Sequence, residues 1–394
     1  MNGAGRRVVI TGYGVVAPCG IGRDAFWAGL LGPNASGGNV VRIADWDPSP
    51  WYDSPKDSRR ADPVQQFAMA SATEAIEHAG GINADPMRSG VIYASGVGGL
   101  TTLEEQIETR LEKGARRVSP FLVPMMMPNA AGASISMRFG LRGPNETICT
   151  ACAASTHAIG YAARLIAWGM ADLIVTGGSE AAATPTSIAG FSNMTALSSS
   201  GSSRPFDTGR DGFVLGEGAA SLVLEERDAA IARGATIYGE VLGAASNADA
   251  HHITAPAPGG IGAITCMELA LADAGLTPGD IAQINAHGTS TPLNDAAEAQ
   301  AVAHVFGTPG PPVVSTKGVT GHALGAAGAL EAVAVLLSMD RGLIPPTAGT
   351  LELDPEFTID LVTGAPRPWT AGPTMSNSLG FGGHNGSLIL GPPD

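Results

Sequence analysis

One cysteine stands where the sequence pattern changes from strand to helix. The apolar residues before Cys152 are typical of a short strand, and the small residues after it, up to Gly160, are typical of a helix. The free amides of a helix N-terminus carry a partial positive charge that favours a thiolate, and small neighbours leave room for a substrate carbonyl. The position therefore predicts a nucleophile, although a buried, unreactive cysteine is the commoner fate of this residue type.

Two histidines further along the chain stand beside hydroxyl or amine groups. His287 ends a predicted strand and is followed by Thr289 and Thr291, and Lys317 precedes His322 in a glycine-rich segment before another small-residue helix. Neutral imidazoles can donate hydrogen bonds to a developing oxyanion. These residues are therefore candidates for stabilising negative charge beside a nucleophile.

The elements that must position these residues form a weak internal duplication. In the first repeat, a helix over residues 67–80 and the strand over 91–96 correspond to a helix over 267–275 and a strand over 281–288. In the second repeat, a glycine-rich turn with a terminal strand over residues 212–224 corresponds to 380–390. Strands and helices that alternate in two similar halves predict mixed α/β layers around a common core. We place the halves at residues 1–236 and 237–394, and a pseudo-twofold axis would bring their equivalent loops to one site.

The composition excludes several classes of protein. At 394 residues and 44% hydrophobic, the chain can bury a large core. A net charge of −14 argues against a nucleic-acid surface. Charges such as Glu331 interrupt the apolar runs, and the start of the chain shows no signal-peptide pattern, which favours a cytoplasmic protein without a membrane span. Four cysteines do not make a disulfide framework in a chain of this length.

Four motifs in order carry a resemblance to a known family. They are Thr150-Ala-Cys152-Ala, Asn285-Ala-His287-Gly-Thr-Ser-Thr-Pro, Lys317 with Gly321-His322, and Asn377-Ser-Leu-Gly-Phe381-Gly-Gly-His-Asn. Over its whole length the chain resembles the β-ketoacyl-acyl-carrier-protein synthases, in their synthase II-like branch. The resemblance implies the α/β thiolase fold, in which two βαβαβαββ halves form a five-layered αβαβα core, and usually a dimer.

The resemblance also implies a decarboxylative Claisen condensation. Cys152 would take an acyl chain from an acyl carrier protein. Loss of CO2 from malonyl on a second carrier would then generate a carbanion, whose enolate oxygen would accept hydrogen bonds from His287 and His322. Lys317 would orient one histidine. The amides of Cys152 and Phe381 would form an oxyanion hole, and Phe381 would gate the cysteine.

Substrate and partner contacts follow from the same resemblance. Thr289 and Thr291 would hydrogen-bond the phosphopantetheine arm that carries the substrates, and no metal or permanently bound cofactor is expected. The residues expected to line an acyl tunnel are Leu103, Met125, Met126, Met127, Phe191 and Met194. The arginines that could dock the acidic carrier protein are Arg59, Arg60 and Arg204, with Arg116, Arg117 and Arg210 completing the basic pairs.

Two other motifs point to different chemistry. Cys149 and Cys152 form a C-x-x-C that could bind zinc with His251 and His252 or act in redox exchange, but no second cysteine pair exists and the strand period predicts a buried Cys149. Gly12-Tyr-Gly14 mimics a dinucleotide fingerprint, yet Pro18 and Gly20 break the helix that should follow. We expect the remaining histidines on helices to be structural or at the surface: His78, His157 and His304.

The choice between pathways rests on departures from the family pattern. A degradative thiolase would carry a second cysteine near His384, and a noncatalytic chain-length factor would lack Cys152. The short stretch between Ile43 and Arg60, Leu379 in place of an aromatic residue, and His384 in place of a threonine favour a type II polyketide ketosynthase, of the polyene-making kind. Fatty-acid elongation and a noncatalytic partner subunit remain alternatives. Homodimer and heterodimer with a chain-length factor are both open.

Overall fold

The computed structural model describes residues 5–393. Residues 1–4 and Asp394, the outer ends of the two predicted halves, lie outside this range. The elements before residue 237 are β1 (Val8–Ala17), β2 (Gly20–Ile21), α1 (Arg23–Leu30), α2 (Pro55–Ser58), α3 (Pro63–His78), β3 (Ser89–Ala94), α4 (Leu100–Lys113), α5 (Leu122–Met126), α6 (Ala130–Phe139), β4 (Asn145–Ile148), α7 (Ala154–Ala167), β5 (Leu173–Glu180), α8 (Pro185–Asn193), β6 (Gly218–Glu226) and α9 (Arg227–Ala232).

The second half contains matching strands with fewer helices. Its elements are β7 (Gly239–Ala248), α10 (Ile261–Ala274), β8 (Gln283–Asn285), α11 (Pro292–Phe306), β9 (Pro312–Val314), α12 (Lys317–Thr320), α13 (Ala327–Arg341), β10 (Leu343–Ile344), β11 (Asp360–Leu361), β12 (Arg367–Pro368), β13 (Thr374–Gly380) and β14 (His384–Gly391). The proposed boundary at residue 236 falls between α9 and β7.

The two halves repeat the same strand order. The first half runs β4-β3-β5-β6-β1, and the second runs β9-β8-β13-β14-β7. In each half the first two of these neighbouring pairs are parallel and the last two are antiparallel. A short antiparallel contact between β1 and β7 joins the halves into one continuous sheet. The predicted duplication is confirmed.

The helices complete five layers. Helices α7 and α13 contact each other and strands of both halves, so they form the central layer. Helices α3 and α6 pack on strands of the first half, and α10 and α11 cover the second. This is the predicted αβαβα arrangement of the thiolase fold.

Small residues allow the central helices to approach closely. A Cβ at Gly328 of α13 would lie 2.1 Å from Oγ1 of Thr156 on α7, and one at Gly160 would lie 2.7 Å from the Cβ of Ala244. Every residue of α13 up to Met339 is buried, which explains its long apolar run. No helix within residues 5–393 combines the length and the apolar character that a membrane crossing requires.

The fingerprint-like glycines serve the same kind of contact. Gly12 and Gly14 lie inside β1, where added Cβ atoms would lie 2.2 Å from the carbonyl oxygen of Ala75 and 2.3 Å from that of Ser71. Both carbonyls belong to α3. The glycines therefore let α3 pack against the strand. Because β1 continues to Ala17, no helix begins directly after them as a dinucleotide site would require.

Candidate active site

Cys152 lies in the turn between β4 and α7. The strand ends at Ile148, Ala151 has a positive φ of 49°, and α7 begins at Ala154, so the chain reverses within five residues. The cysteine is 6% exposed. The sequence pattern predicted this strand-turn-helix placement correctly.

The two candidate histidines of the second half meet this cysteine. The Nε2 atom of His322 lies 3.0 Å from the Sγ atom of Cys152. The ring centroids of His287 and His322 are 5.3 Å apart. His322 precedes α13 by five residues and a short 3-10 turn, so it lies before that helix, as its sequence position suggested. The halves thus contribute different groups to one site.

Both imidazoles are neutral at physiological pH. Burial lowers the pKa of His287 and of His322 well below the ordinary value of 6.5, and the ammonium of Lys317 lowers both further. A neutral imidazole carries one N–H that can donate and one nitrogen that can accept. Each ring can therefore donate one hydrogen bond to an oxyanion and can accept a proton at its other nitrogen.

The protonation of Cys152 differs from the expectation raised by its helix N-terminus. Burial raises the pKa of the thiol to about 11, although Lys317 and the backbone amides of Phe381 and Cys152 act to lower it. Desolvation of the charged form outweighs these favourable contacts, so the closed site holds a thiol rather than a thiolate. His322 is within hydrogen-bond distance to accept the thiol proton.

Lys317 is buried, and its side-chain nitrogen has two partners. Its Nζ donates to the carbonyl oxygen of His287 at 2.6 Å and forms a short ion pair with Glu331 of α13. Lys317 therefore fixes the strand end that carries His287. Glu331 was considered in the sequence only as a charge that interrupts an apolar run, and its partnership with Lys317 was missed.

Two more buried carboxyl groups support the site. Glu298 of α11 accepts the amides of His287 and Gly288, both at 2.7 Å. Glu180 accepts the amides of Gly96 at 2.7 Å and Gly325 at 3.0 Å, which belong to different halves. Sequence analysis missed both acids. A single Glu among the small apolar residues of a helix or strand was the available signal, because a buried acid needs hydrogen-bond partners.

Phe381 lies in a glycine turn directly above the cysteine. Its amide donates to the Cys152 sulfur, and Gly382 and Gly383 have positive φ values of 83° and 74°. The amide of Gly382 donates to the carbonyl oxygen of Ile253 at 2.7 Å, which ties the turn to a neighbouring loop. The geometry suits both predicted functions of Phe381, an amide of the oxyanion hole and a gate.

A cavity of about 350 Å³ leads to these groups. The predicted site residues that line it are Cys152, His287, Thr289, Thr291, His322, Phe381, Phe191 and Met194. The hydroxyls of Thr289 and Thr291 lie 2.9 Å apart. Among the described residues, the lining does not include Leu103 or residues 125–127, because these lie on and beside α4 and α5, which pack against each other.

Cys149 is exposed, which corrects the prediction that it is buried. Its Sγ donates to the carbonyl oxygen of Gly96 at 3.2 Å. The reason is that β4 lies at the edge of the sheet, with β3 as its neighbour, and Cys149 follows its last residue. Within residues 5–393 no metal-ligating cluster combines Cys149 with His251 or His252.

The predicted docking arginines differ in their exposure and in their ion pairing. Arg59 and Arg60 are exposed, and the Arg60 guanidinium lies 4.3 Å from the ring centroid of Phe121. Arg204 forms an ion pair with Asp211 at 3.6 Å and is 26% exposed. Arg59 and Arg60 therefore present the more accessible positive charge.

His78, His157 and His304 lie on α3, α7 and α11, as predicted. His157 has a definite structural function. Its Nδ1 lies 2.8 Å from the hydroxyl of Thr150, and its Nε2 lies 3.0 Å from the carbonyl oxygen of Asn385. This side chain joins the cysteine turn to the strand that follows the Phe381 turn.

A buried Cys-His-His trio between the two halves of this five-layered fold defines a condensing enzyme of the thiolase superfamily. Residues 32–230 match the family of β-ketoacyl synthase N-terminal domains, and residues 238–350 match the corresponding C-terminal domains. The chain belongs to the β-ketoacyl synthase family and is an acyltransferase.

Relatives and solved structures agree with this assignment over nearly the whole chain. The chain is 42% identical to 3-oxoacyl-[acyl-carrier-protein] synthase 2 of Synechocystis and 43% identical to that of Coxiella burnetii, covering 98% of each partner in both comparisons. It superposes with a TM-score of 0.91 and 34% identity on a chain of the ishigamide ketosynthase/chain length factor, covering 99% of this chain and 100% of that one. It also superposes with a TM-score of 0.90 and 31% identity on a structure of a type II PKS acyl-carrier protein with its hexaketide-bound ketosynthase, covering 99% of this chain and 100% of that one.

Proposed function

We propose that the enzyme joins a Cys152-bound acyl chain to malonyl on an acyl carrier protein by decarboxylative Claisen condensation. The observation that carries this proposal is the 3.0 Å contact between His322 Nε2 and Cys152 Sγ, with His287 completing the trio. One thiol nucleophile and two neutral hydrogen-bond donors are the groups that this reaction requires.

In the first half-reaction, the Cys152 sulfur attacks the thioester carbonyl of the acyl carrier. The thiol proton passes to His322 and then to the departing phosphopantetheine thiolate. The amides of Cys152 and Phe381 stabilise the tetrahedral oxyanion, since both already contact the sulfur. The products are acyl-Cys152 and the free carrier thiol.

In the second half-reaction, the malonyl carboxylate leaves as CO2 and its electron pair forms an enolate. His287 donates to the enolate oxygen, as does His322 once its ring proton lies on Nε2 rather than Nδ1. The carbon then attacks the acyl-Cys152 carbonyl. Collapse of the tetrahedral intermediate breaks the bond to sulfur and releases β-ketoacyl carrier. The Cys152 thiolate that is left takes up one proton from solvent, which regenerates the thiol. The hydroxyls of Thr289 and Thr291 line the cavity where the phosphopantetheine arm would lie.

The substrates would arrive on the phosphopantetheine of an acyl carrier protein, without a permanently bound cofactor. An acyl-carrier protein is bound to the ketosynthase in one structural neighbour, and a chain length factor accompanies the ketosynthase in two others. We propose the same carrier partner here, with a homodimer or a chain-length-factor heterodimer as the assembly.

We place the enzyme in type II polyketide biosynthesis, of the polyene-making kind. The support is the fold similarity to polyketide ketosynthases, together with His384 and Leu379 near the gate. Fatty-acid elongation is the second candidate, because the relatives of 42–43% identity are named 3-oxoacyl-[acyl-carrier-protein] synthase 2.

Intact-mass spectrometry of acyl loading tests the reaction. We expect Cys152→Ala to accept no acyl group, whereas His287→Ala stays loadable but forms no condensation product from malonyl carrier. Full acylation of the Cys152→Ala protein would refute the nucleophile. Unchanged condensation by His287→Ala would refute the assignment of that donor.

The pathway is tested by extending defined carrier-bound chains. Saturated acyl carriers should be poor substrates, and polyunsaturated or β-keto acyl carriers should be extended, with or without an added chain-length factor. Efficient extension of saturated chains by the protein alone would instead support fatty-acid elongation.

A further inference from the structure

The catalytic trio also has the composition of a metal site. The Cys152 sulfur and one ring nitrogen each from His287 and His322 lie within 4.8 Å of one another, and all three residues are buried. A thiolate with two imidazoles is a ligand set typical of zinc. We propose that the trio binds a thiophilic divalent cation such as Zn²⁺ reversibly, and that the bound ion inhibits the enzyme by occupying the nucleophile.

The geometry needs only small side-chain movements. Zinc bonds of about 2.3 Å to sulfur and about 2.0–2.1 Å to nitrogen place tetrahedral ligand atoms about 3.3–3.6 Å apart. The His322 Nε2 to Cys152 Sγ distance of 3.0 Å would open slightly. The widest separation, at most 4.8 Å, would close by up to about 1.2–1.5 Å. Rotation about the side-chain bonds of Cys152 and His287 can supply this.

Binding exchanges one proton for the metal ion. A histidine binds through an unprotonated ring nitrogen, whereas a cysteine binds as the thiolate, so the thiol of Cys152 must lose its proton. Binding therefore replaces the S–H bond with an S–Zn bond and releases one proton to the buffer, without any change of oxidation state.

The charges around the trio do not prevent a dication from binding. Lys317 is the nearby cation, and its ammonium is paired with Glu331. Glu298 and Glu180 add two further buried carboxyl groups whose oxygens accept backbone amides around the site. The surrounding buried groups therefore include three carboxyls against one ammonium.

The cavity leaves a fourth coordination position open. It reaches Cys152, His287 and His322 on one side, so water or a substrate group could complete a tetrahedron there. An acylated Cys152 has no free thiolate to offer. Acyl loading and zinc binding should therefore exclude each other.

The test measures binding and labelling separately from condensation, so that it stays informative even if the proposed substrates are wrong. Zinc is titrated into the metal-free full-length protein by calorimetry in two buffers of different ionisation enthalpy, which gives stoichiometry and proton release. Iodoacetamide labelling of Cys152 is followed by peptide mass spectrometry with zinc and after addition of EDTA. We expect one ion per chain, about one proton released, and labelling that zinc slows and EDTA restores.

Matched variants locate the site. Cys152→Ala and His287→Ala should each weaken zinc binding by about 100-fold or more, because loss of even outer-shell partners costs roughly 10- to 100-fold. The control is a Cys149→Ser, His251→Ala, His252→Ala triple variant, which removes the other candidate ligands and should bind zinc unchanged. Co²⁺ should give thiolate charge-transfer absorption in the control but not in Cys152→Ala.

Two results would overturn the proposal. One is zinc binding that survives in Cys152→Ala and disappears in the triple variant, which would place the ion at the surface. The other is labelling of Cys152 at the same rate with and without saturating zinc. Circular dichroism of each variant distinguishes loss of the site from loss of the fold.

Discussion

Lys317 lies in an ion pair within an environment that ordinarily excludes charged side chains. It is 1% exposed, and its partner Glu331 is equally buried. A buried ion pair need not add stability, but loss of one partner leaves an uncompensated charge in a medium of low polarity. The pair is therefore best understood as holding the backbone of His287 in place through the Lys317 ammonium.

A double-mutant cycle measures this coupling. Lys317→Met and Glu331→Met should each lower the free energy of unfolding, Lys317→Met by about 3–5 kcal/mol because it leaves Glu331 unpaired. The double variant Lys317→Met, Glu331→Met should lose clearly less than the sum of the single losses of Lys317→Met and Glu331→Met. Urea unfolding gives the four values, and strict additivity would show that the two side chains act independently.

The high pKa of Cys152 sets the pH dependence of its reactivity. A thiol with a pKa near 11 gains thiolate about tenfold per pH unit between neutrality and pH 10. Alkylation of Cys152 by iodoacetamide in the protein without substrate should therefore keep rising across this range. Peptide-resolved mass spectrometry measures it, with exposed Cys149 as the comparison in the same digest. A rate already at its plateau at pH 7 would show a resting thiolate.

At the scale of elements, α7 does more than present its N-terminus to the cysteine. Through His157 it connects the Cys152 turn to the strand after the gate, and through Thr156 it meets Ser378 at 2.7 Å. Its small residues allow the close approach of α13. The cysteine turn and the Phe381 turn are therefore held to one rigid helix, which keeps the amides of the oxyanion hole in register.

The packing of α3 on β1 gives a prediction about stability. Gly12→Ala should destabilise the protein by about 1–3 kcal/mol or more, because the new methyl would overlap a backbone oxygen that cannot move freely. Gly38→Ala is the control, since no heavy atom lies within 4 Å of its added Cβ. Thermal unfolding of both variants compares them. Equal stability would show that α3 shifts without cost.

How much of the site could be predicted from the sequence depended on whether a residue's neighbours lie close along the chain. The turn at Cys152 and the strand end at His287 were predictable, because both are local changes of pattern. The protonation of Cys152 was not, because burial by the other half decides it. Glu180, Glu298 and Glu331 escaped notice since their partners lie on other elements.

At the scale of the whole molecule, the arrangement of two halves was predictable from the duplication. The position of each strand and helix within the layers was not, and this position decides which side chains are buried or line the cavity. The period of β4 suggested a buried Cys149, but a periodic pattern does not reveal that a strand has only one neighbour. Leu103 was expected to line an acyl tunnel. It lies on α4, which packs on α5, and it is not among the described residues that line the cavity. Such facts depend on the global order of the layers.

The net negative charge of the whole molecule makes binding of an acidic partner depend on local patches of positive charge. The chain carries −14 overall, so an acidic carrier protein must approach a locally basic surface. Arg59→Glu with Arg60→Glu should weaken carrier binding about tenfold or more at low salt, and Arg204→Glu should have a smaller effect because Asp211 already pairs with it. Arg142→Glu with Arg341→Glu, two exposed arginines outside the candidate pairs, is the matched control. Calorimetry at two salt concentrations measures the affinities, and equal losses for both pairs would exclude a specific patch.

The close contact between His322 and Cys152 joins groups separated by 170 positions in the chain. During synthesis, Cys152 therefore emerges before either imidazole of the trio. The thiol acquires its proton acceptor only when the second half has folded against the first.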